Sequence, residues 1–216
     1  MTKNNTILQV KNLSIGYNKT LISSAINFSL NNGELVGLFG ENGKGKTTLL
    51  KTICGFIPKI EGDILLHEKP IETYTAQQLS KKISSVLTSN YFDASLYVKD
   101  VLAIARTPYI GINYKLTEAD KNIIHQAVEL CNVELFLDRK LASLSDGEKQ
   151  RVMLARAITQ QTDIIILDEP TAHLDVPNRK RLFETLRKLC QQDKAILIST
   201  HEIDLARSYV DKEFNV

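Results

Sequence analysis

The chain has 216 residues, 43% of them hydrophobic and none of them tryptophan, a length at which one domain over residues 1–216 buries roughly 70% of the surface it would expose unfolded. Its 27 basic and 25 acidic residues leave a net charge of only +2, so no polyanion is indicated and no nucleic-acid partner is expected. Cys54, Cys131 and Cys190 lie far apart with no C-x-x-C pair, which excludes a disulfide scaffold and reads as reduced thiols in a reducing compartment.

In chain order, MTKNNTILQV lacks the long apolar core of a signal peptide. Ile7 to Tyr17 and Ala25 to Leu30 are short alternating stretches broken by turn residues such as Asn31, Asn32 and Gly33, which predicts an antiparallel layer. Residues 35–39, LVGLF, are continuously apolar, as befits a strand buried on both faces. A helix is predicted to follow, since TTLLKTICGF has no breaker before Pro58. GDILLHE (62–68) and KKISSVLT (81–88) predict two more short strands. From about Tyr91 to Arg151 the pattern is mostly helical, and Thr117 with Asp120 resembles a capping box. DIIIL (163–167) and AILIST (195–200) predict buried strands separated by a helix with Asp175 as its cap and Pro177 in its first turn. No run nears the roughly 18 apolar residues of a membrane span. Strand and helix alternate at both ends around a helical insertion, so a parallel-sheet core carrying a helical subdomain is expected.

Gly40, Gly45, Lys46 and Thr47 satisfy G-x-x-x-x-G-K-[ST] between a predicted buried strand and a predicted helix. Glycines let the loop through Glu41, Asn42, Gly43 and Lys44 curl so that successive N–H groups point inward, and the helix start adds its positive end. Lys46 can then reach the β- and γ-phosphates of a nucleotide while the Thr47 hydroxyl ligates Mg²⁺. Lys44 either adds charge near the phosphates or stays solvated. Asp168 and Glu169 close the strand DIIILDEP, at the sheet edge where ligands of open α/β sheets gather. Asp168 suits holding Mg²⁺ through water, and Glu169 suits polarising the attacking water. His201 follows the strand AILIST and emerges at the same edge, where it can hold the transferring group and help position water. Glu202 beside it reads as a helix-start charge.

In LASLSDGEKQRVMLARAI (141–158), Ser145 can cap a helix that begins near Gly147, which makes a second anion site. Two phosphate sites on one chain are reconciled by two copies arranged head to tail, each pairing its loop with the other's Ser145 and Gly147.

Taken together, these motifs resemble the ATP-binding subunits of ABC transporters over almost the whole chain. GENGKGKTT (40–48), ending on Thr48, matches Walker A, and LSDGE (144–148) matches the signature that supplies Ser145, Asp146, Gly147 and Glu148 to a partner's nucleotide. IIILDEP matches Walker B, AHLD (172–175) the D-loop with Asp175, and STH (199–201) the switch histidine. The resemblance implies an α/β fold: a P-loop NTPase core with a mainly parallel sheet, an N-terminal antiparallel β layer and a helical subdomain inserted at about residues 91–151. It implies ATP and Mg²⁺ as cofactors, ATP hydrolysis coupled to transport, and a homodimer formed through an ATP sandwich. Such a dimer docks on membrane-spanning permease subunits at the cytoplasmic face and does not itself bind the solute. It also implies that Tyr17 stacks on adenine. VKDVLAIARTPYIG (98–111) and AHLDVPNR (172–179) are similar to the importers of iron-siderophore complexes, heme and cobalamin.

There are departures from the family pattern. Thr88 stands at the Q-loop position, where these subunits usually carry glutamine, and Gln77 and Gln78 lie before the strand. LSDGE replaces the common LSGGQ, so Asp146 and Glu148 are expected to bring negative charge near a partner's γ-phosphate. The chain ends at DKEFNV, short for such subunits. Two other readings stay open on these grounds: a cytosolic ABC ATPase without a permease, and a nucleotide-dependent interaction module with degenerate catalysis.

Overall fold

The computed structural model of the chain describes residues 6–17, 20–41, 43–88, 93–110, 115–172 and 174–216. Strands β1 (Thr6–Tyr17) and β2 (Thr20–Asn31) pair antiparallel, with Leu8 opposite Leu30 and Gly16 opposite Leu21. β3 (Leu35–Phe39) is buried along its whole length and leads into helix α1 (Lys46–Ile53). The chain then returns through β4 (Glu61–Leu66), which pairs antiparallel with β1, and β5 (Lys69–Pro70), giving a four-stranded sheet of order β2-β1-β4-β5. The sequence predicted β4 as a strand without assigning it to a sheet. Its alternating burial fits a sheet with one face on the core and one on solvent.

Helix α2 (Ala76–Ser80) has a capping box between Thr75 and Gln78 and precedes β6 (Ile83–Val86). The helical insertion follows, with α3 (Val98–Ile104), α4 (Glu118–Cys131) and α5 (Asp146–Thr159). β7 (Ile164–Asp168), α6 (Val176–Cys190), β8 (Ala195–Ser199), α7 (Ile203–Arg207) and β9 (Lys212–Asn215) complete the chain. The second sheet is wholly parallel, in the order β6-β7-β8-β3-β9. The short helices α2 and α7 and the strands β5 and β9 gave no sequence signal strong enough to predict. β9 lies at the sheet edge and carries the charged Lys212 and Glu213, as edge strands commonly do.

Strands β3, β7 and β8 of the parallel sheet are buried on both faces, which explains why they read as nearly unbroken apolar runs. Leu35, Ile165, Leu167, Ile196 and Ile198 face one core, which they share with Leu182, Phe183 and Leu186 of α6. Val36, Leu38, Ile164, Ile166 and Leu197 face the other, shared with Leu49, Leu50 and Ile53 of α1 and with Leu8 and Ile64 of the antiparallel sheet. Helix α1 is therefore clamped between the two sheets. All three cysteines are free and buried, and burial pushes each thiol up to about 12. Among the described residues no helix is long and apolar enough to cross a membrane.

One buried ion pair fastens the helical insertion. Arg106, just past α3, donates from Nε to Asp120 Oδ1 at 2.8 Å and from Nη1 to the Thr159 carbonyl at 2.9 Å, linking α3, α4 and α5. Asp120 also closes the capping box anticipated with Thr117, at 2.9 Å from the Thr117 N–H. Hydrogen bonds from Thr117, reinforced by Arg106, hold the Asp120 carboxyl down at about 2. A depressed carboxylate stabilises the fold above its unfolded pKa and loses that contribution as pH falls through its folded value. Asp120→Asn should therefore cost about 3 kcal/mol near neutral pH, because it strands a buried guanidinium. Urea unfolding of parent and variant should show this gap closing between about pH 4 and about pH 2; a gap independent of pH would refute the assignment.

Candidate functional site

Every strand of the parallel sheet runs the same way, so the C-terminal ends of β3, β6, β7 and β8 share one edge. Gly40 follows β3, Thr88 follows β6, Asp168 ends β7 with Glu169 next, and His201 lies just past β8. The residues that the sequence picked out on separate strands therefore meet.

Gly45 opens α1 in the left-handed region, with φ +101°, and the Leu49 N–H bonds its carbonyl at 2.8 Å. A Cβ at that position would approach Ile22 Cγ2 of β2 to 2.8 Å, so both the backbone angle and the packing call for glycine. Ile15 Cδ1 of β1 sits 3.4 Å from the same point, which sets the first hairpin beside the loop. Tyr17, two residues further along β1, is 45% exposed. Lys46 is buried, and its Nζ donates to the Gly40 carbonyl at 2.7 Å and the Glu41 carbonyl at 3.2 Å, so the ammonium lies within the turn of the loop. Thr48 is buried next to it. Gly43, at φ +81°, has open space around its α-carbon. Lys44 is exposed, 3.9 Å from the Glu41 carboxylate. Asn42 and His173 lie outside the described residues.

Asp168 is only 2% exposed and is fully engaged by hydroxyls. Its Oδ2 accepts from Thr47 Oγ1 at 2.8 Å and Thr88 Oγ1 at 3.0 Å, and its Oδ1 accepts from Ser199 Oγ at 2.7 Å. Thr88 thus reaches the carboxylate directly despite a side chain shorter than glutamine. Glu169 has φ +52°, and its N–H is shared between Ser199 O at 3.1 Å and Ser199 Oγ at 3.0 Å. Its Oε2 accepts the His201 N–H at 3.1 Å. Its Oε1 lies 3.2 Å from His201 Nε2 and is buried without an aligned hydrogen bond. Burial pushes the Glu169 carboxyl above the usual glutamate range, against the opposing pull of His201 and Lys46. A cleft of about 480 Å³ runs from Thr88, Asp168 and Glu169 to Asp146 and Lys149.

Carboxylate and hydroxyl oxygens are the hard donors that Mg²⁺ selects, and that ion takes one or two carboxylates with the rest of its shell from water and phosphate. The pair of Thr47 and Asp168 fits it.

Ser145 caps α5, which starts at Asp146, one residue before the expected Gly147. Its Oγ accepts the Glu148 N–H at 3.3 Å, and Glu148 Oε2 accepts the Ser145 N–H at 2.7 Å. Glu148 Oε1 also lies 3.3 Å from Arg139 Nη1, and Asp146 Oδ1 lies 3.2 Å from Lys149 Nζ. Both acids that distinguish LSDGE are therefore engaged within their own chain. The Ser145 N–H holds the Glu148 carboxyl below the usual range, with Arg139 contributing. Arg139 also donates to the Ser143 carbonyl and bears on the Phe136 ring, so it braces the turn before α5. Nothing local in the sequence marks Arg139, since its contact with Glu148 depends on how that turn folds back. Asp175 caps α6 as anticipated, accepting from the Asn178 N–H at 3.0 Å. Glu202 stands at the start of α7 and also pairs with Arg179 at 2.6 Å, so it links α6 to the His201 segment.

Over residues 23–172 the chain matches the sequence profile described as ABC transporter. It belongs to the ABC transporter family. An uncharacterized ABC transporter ATP-binding protein of Methanocaldococcus jannaschii is 38% identical over 207 residues, covering 95% of this chain and 71% of that protein. A cobalamin import ATP-binding protein of Halobacterium salinarum is 34% identical over 209 residues, covering 95% of this chain and 51% of the other. A solved ATP-binding subunit of an ABC transporter superposes with a TM-score of 0.85 at 27% identity, over 98% of this chain and 86% of that one. The chain is an ATP-binding subunit of an ABC transporter, with the fold expected from its motifs.

The capping box of this ATP-binding subunit can be tested by itself. Ser145→Ala should lower the unfolding free energy by about 1 kcal/mol. Glu148→Gln, which keeps an acceptor for the Ser145 N–H, should cost less; equal urea midpoints for parent and Ser145→Ala would contradict the cap.

Proposed function

We propose that this subunit hydrolyses ATP with Mg²⁺ to power import through a membrane-spanning permease, in the solute class of iron-siderophore complexes, heme or cobalamin. The observation that carries hydrolysis is Glu169 Oε1, a buried carboxylate oxygen with no aligned hydrogen bond, on a residue whose other oxygen is held by the His201 N–H. Buried acceptors rarely lack a hydrogen bond, and a carboxylate oxygen at a phosphate-site edge with only the His201 ring 3.2 Å away suits a water nucleophile.

In this reading the amides of the loop from Gly40 through Glu41, Asn42, Gly43 and Lys44 to Gly45 cradle the phosphates, as does the start of α1 at Thr47 and Thr48. Lys46 leaves the loop carbonyls for the β- and γ-phosphates, and Tyr17 stacks on adenine. Thr47 and Asp168 would hold Mg²⁺, Asp168 through water, and the bound ion would neutralise charge on the phosphates. Glu169 orients water and takes its proton, while His201 holds the transferring phosphoryl group. Ser145, Asp146, Gly147 and Glu148 meet the nucleotide of a second copy in a head-to-tail sandwich, with Asp175 lining the seam. Because Asp146 and Glu148 are each paired with a cation of their own chain, they add little net repulsion toward an incoming phosphate.

An open cavity of about 680 Å³ suits the permease. Phe56, Ile57, Pro58, Tyr74 and Leu79 line it, and Phe56 is 64% exposed. Exposed apolar concavities of this kind mark protein interfaces. Ser85 forms part of the wall, three residues before Thr88, and its carbonyl accepts from Arg156 at 2.6 Å. A partner seated there would press on β6, the strand that leads to Thr88 and, through its hydroxyl, to Asp168. Docking would place the subunit at the cytoplasmic face of the membrane. The import direction and solute class rest on the similarity of VKDVLAIARTPYIG and AHLDVPNR to that importer group, and on the cobalamin-import relative.

Glu169→Gln should trap a nucleotide-bound dimer, visible as an ATP-dependent shift on size-exclusion chromatography, with turnover reduced at least about a hundredfold. Turnover at the parent rate would reject Glu169 as the base. In vesicles containing the cognate permease, Thr88→Gln should change the solute transported per ATP hydrolysed; an unchanged ratio would count against a coupling role for Thr88.

A further inference from the structure

One hydroxyl touches both carboxylate residues of the site. Ser199 ends β8 and is fully buried, opposite Asp168 in the parallel register. Its Oγ donates its single hydrogen to Asp168 Oδ1 at 2.7 Å and accepts the Glu169 N–H at 3.0 Å. That same N–H leans on the Ser199 carbonyl at 3.1 Å, and Glu169 takes a left-handed backbone conformation, φ +52°. Such a conformation persists in a non-glycine residue only where its surroundings hold it.

We propose that Ser199 is a positioning residue for ATP hydrolysis that yokes the metal-binding Asp168 to the general base Glu169. The inference rests on the hydrolytic reading above and adds a residue to it. The Asp168 carboxylate and the Glu169 backbone share the Ser199 hydroxyl as a common partner, so a shift of either residue is passed to the other. His201, two residues further on, grips the Glu169 side chain through its N–H. The end of β8 thereby fixes the backbone of the base through Ser199 and its carboxylate through His201. An apolar residue at position 199 would leave the buried Asp168 Oδ1 without its donor and remove one of the two acceptors that hold the Glu169 N–H.

The test uses the whole chain with three substitutions. Ser199→Ala removes the hydroxyl, Ser199→Cys keeps its shape with a weak donor, and Ser199→Thr keeps the hydroxyl. Two quantities are read: steady-state ATP turnover, and Mn²⁺ affinity of the ATP-loaded protein by electron paramagnetic resonance. Ala and Cys should lower kcat about 10- to 100-fold, as a misplaced base does, with KM for ATP within about twofold of the parent. They should also weaken Mn²⁺ binding about fivefold, since the metal-binding carboxylate loses the bond that orients it. Thr should keep most of both. A merely structural role would instead lower the melting temperature and move KM and kcat together. The proposal is overturned if Ala retains the parent kcat and Mn²⁺ affinity, or if Thr falls as far as Ala. Should the parent bind Mn²⁺ and ATP without turnover, the hydrolytic reading fails, while the Mn²⁺ comparison still decides whether Ser199 orients Asp168.

Discussion

A carboxylate cannot be buried without donors, and Asp168 is buried almost completely. Its oxygens are satisfied by hydroxyls from Thr47 on α1, Thr88 beyond β6 and Ser199 on β8. Each donor belongs to a different segment, so the demand of one charge ties the phosphate loop, the root of the helical insertion and the His201 segment to the end of β7. The parallel sheet makes this possible. Strands that run the same way and are buried on both faces deliver their C-terminal ends to a single edge, where the following loops have no other place to go.

To the apolar core that the helical insertion shares with the sheet, the same arrangement adds two polar attachments of different character. At the edge that carries the site, a short threonine joins its entry segment to Asp168. Towards the far end of α5, Arg156 bonds the Ser85 carbonyl, and Gln160 bonds the Ser80 carbonyl at 2.6 Å. Within the insertion, the buried pair of Arg106 and Asp120 ties α3, α4 and α5 together. The apolar cavity around Phe56 includes Ser85 of β6 and Arg156 of α5, and β6 leads to Thr88, whose hydroxyl bonds Asp168.

Much of the site was legible because its signals are local. The glycine loop works through the backbone angles of neighbouring residues, and Gly45 has the left-handed conformation its place in the motif requires. The box of Thr117 with Asp120 is a three-residue spacing and Ser145 a helix-start serine, both local signals. Strands such as LVGLF and DIIIL are apolar on both sides because both faces are covered. Other features carry no such mark. β4 reads as a strand, but nothing in GDILLHE says that it pairs with β1. β9 is short, charged and exposed at an edge. The sequence shows the negative charges of Asp146 and Glu148 but not that Lys149 and Arg139 stand beside them.

What the sequence determined by itself was which chemical groups exist and which local turns present them: a lysine behind a glycine loop, two acids at a strand end, a histidine after another strand, a serine at a helix start. These depend on neighbours within a few residues, where chain connectivity fixes the geometry. Tertiary structure alone decided which groups share an oxygen. Thr47, Thr88 and Ser199 stand 121, 80 and 31 residues from Asp168 along the chain, and no periodicity or spacing relates positions that far apart. They meet because two apolar cores close on the faces of one sheet and leave its edge as the place where the polar ends must satisfy one another.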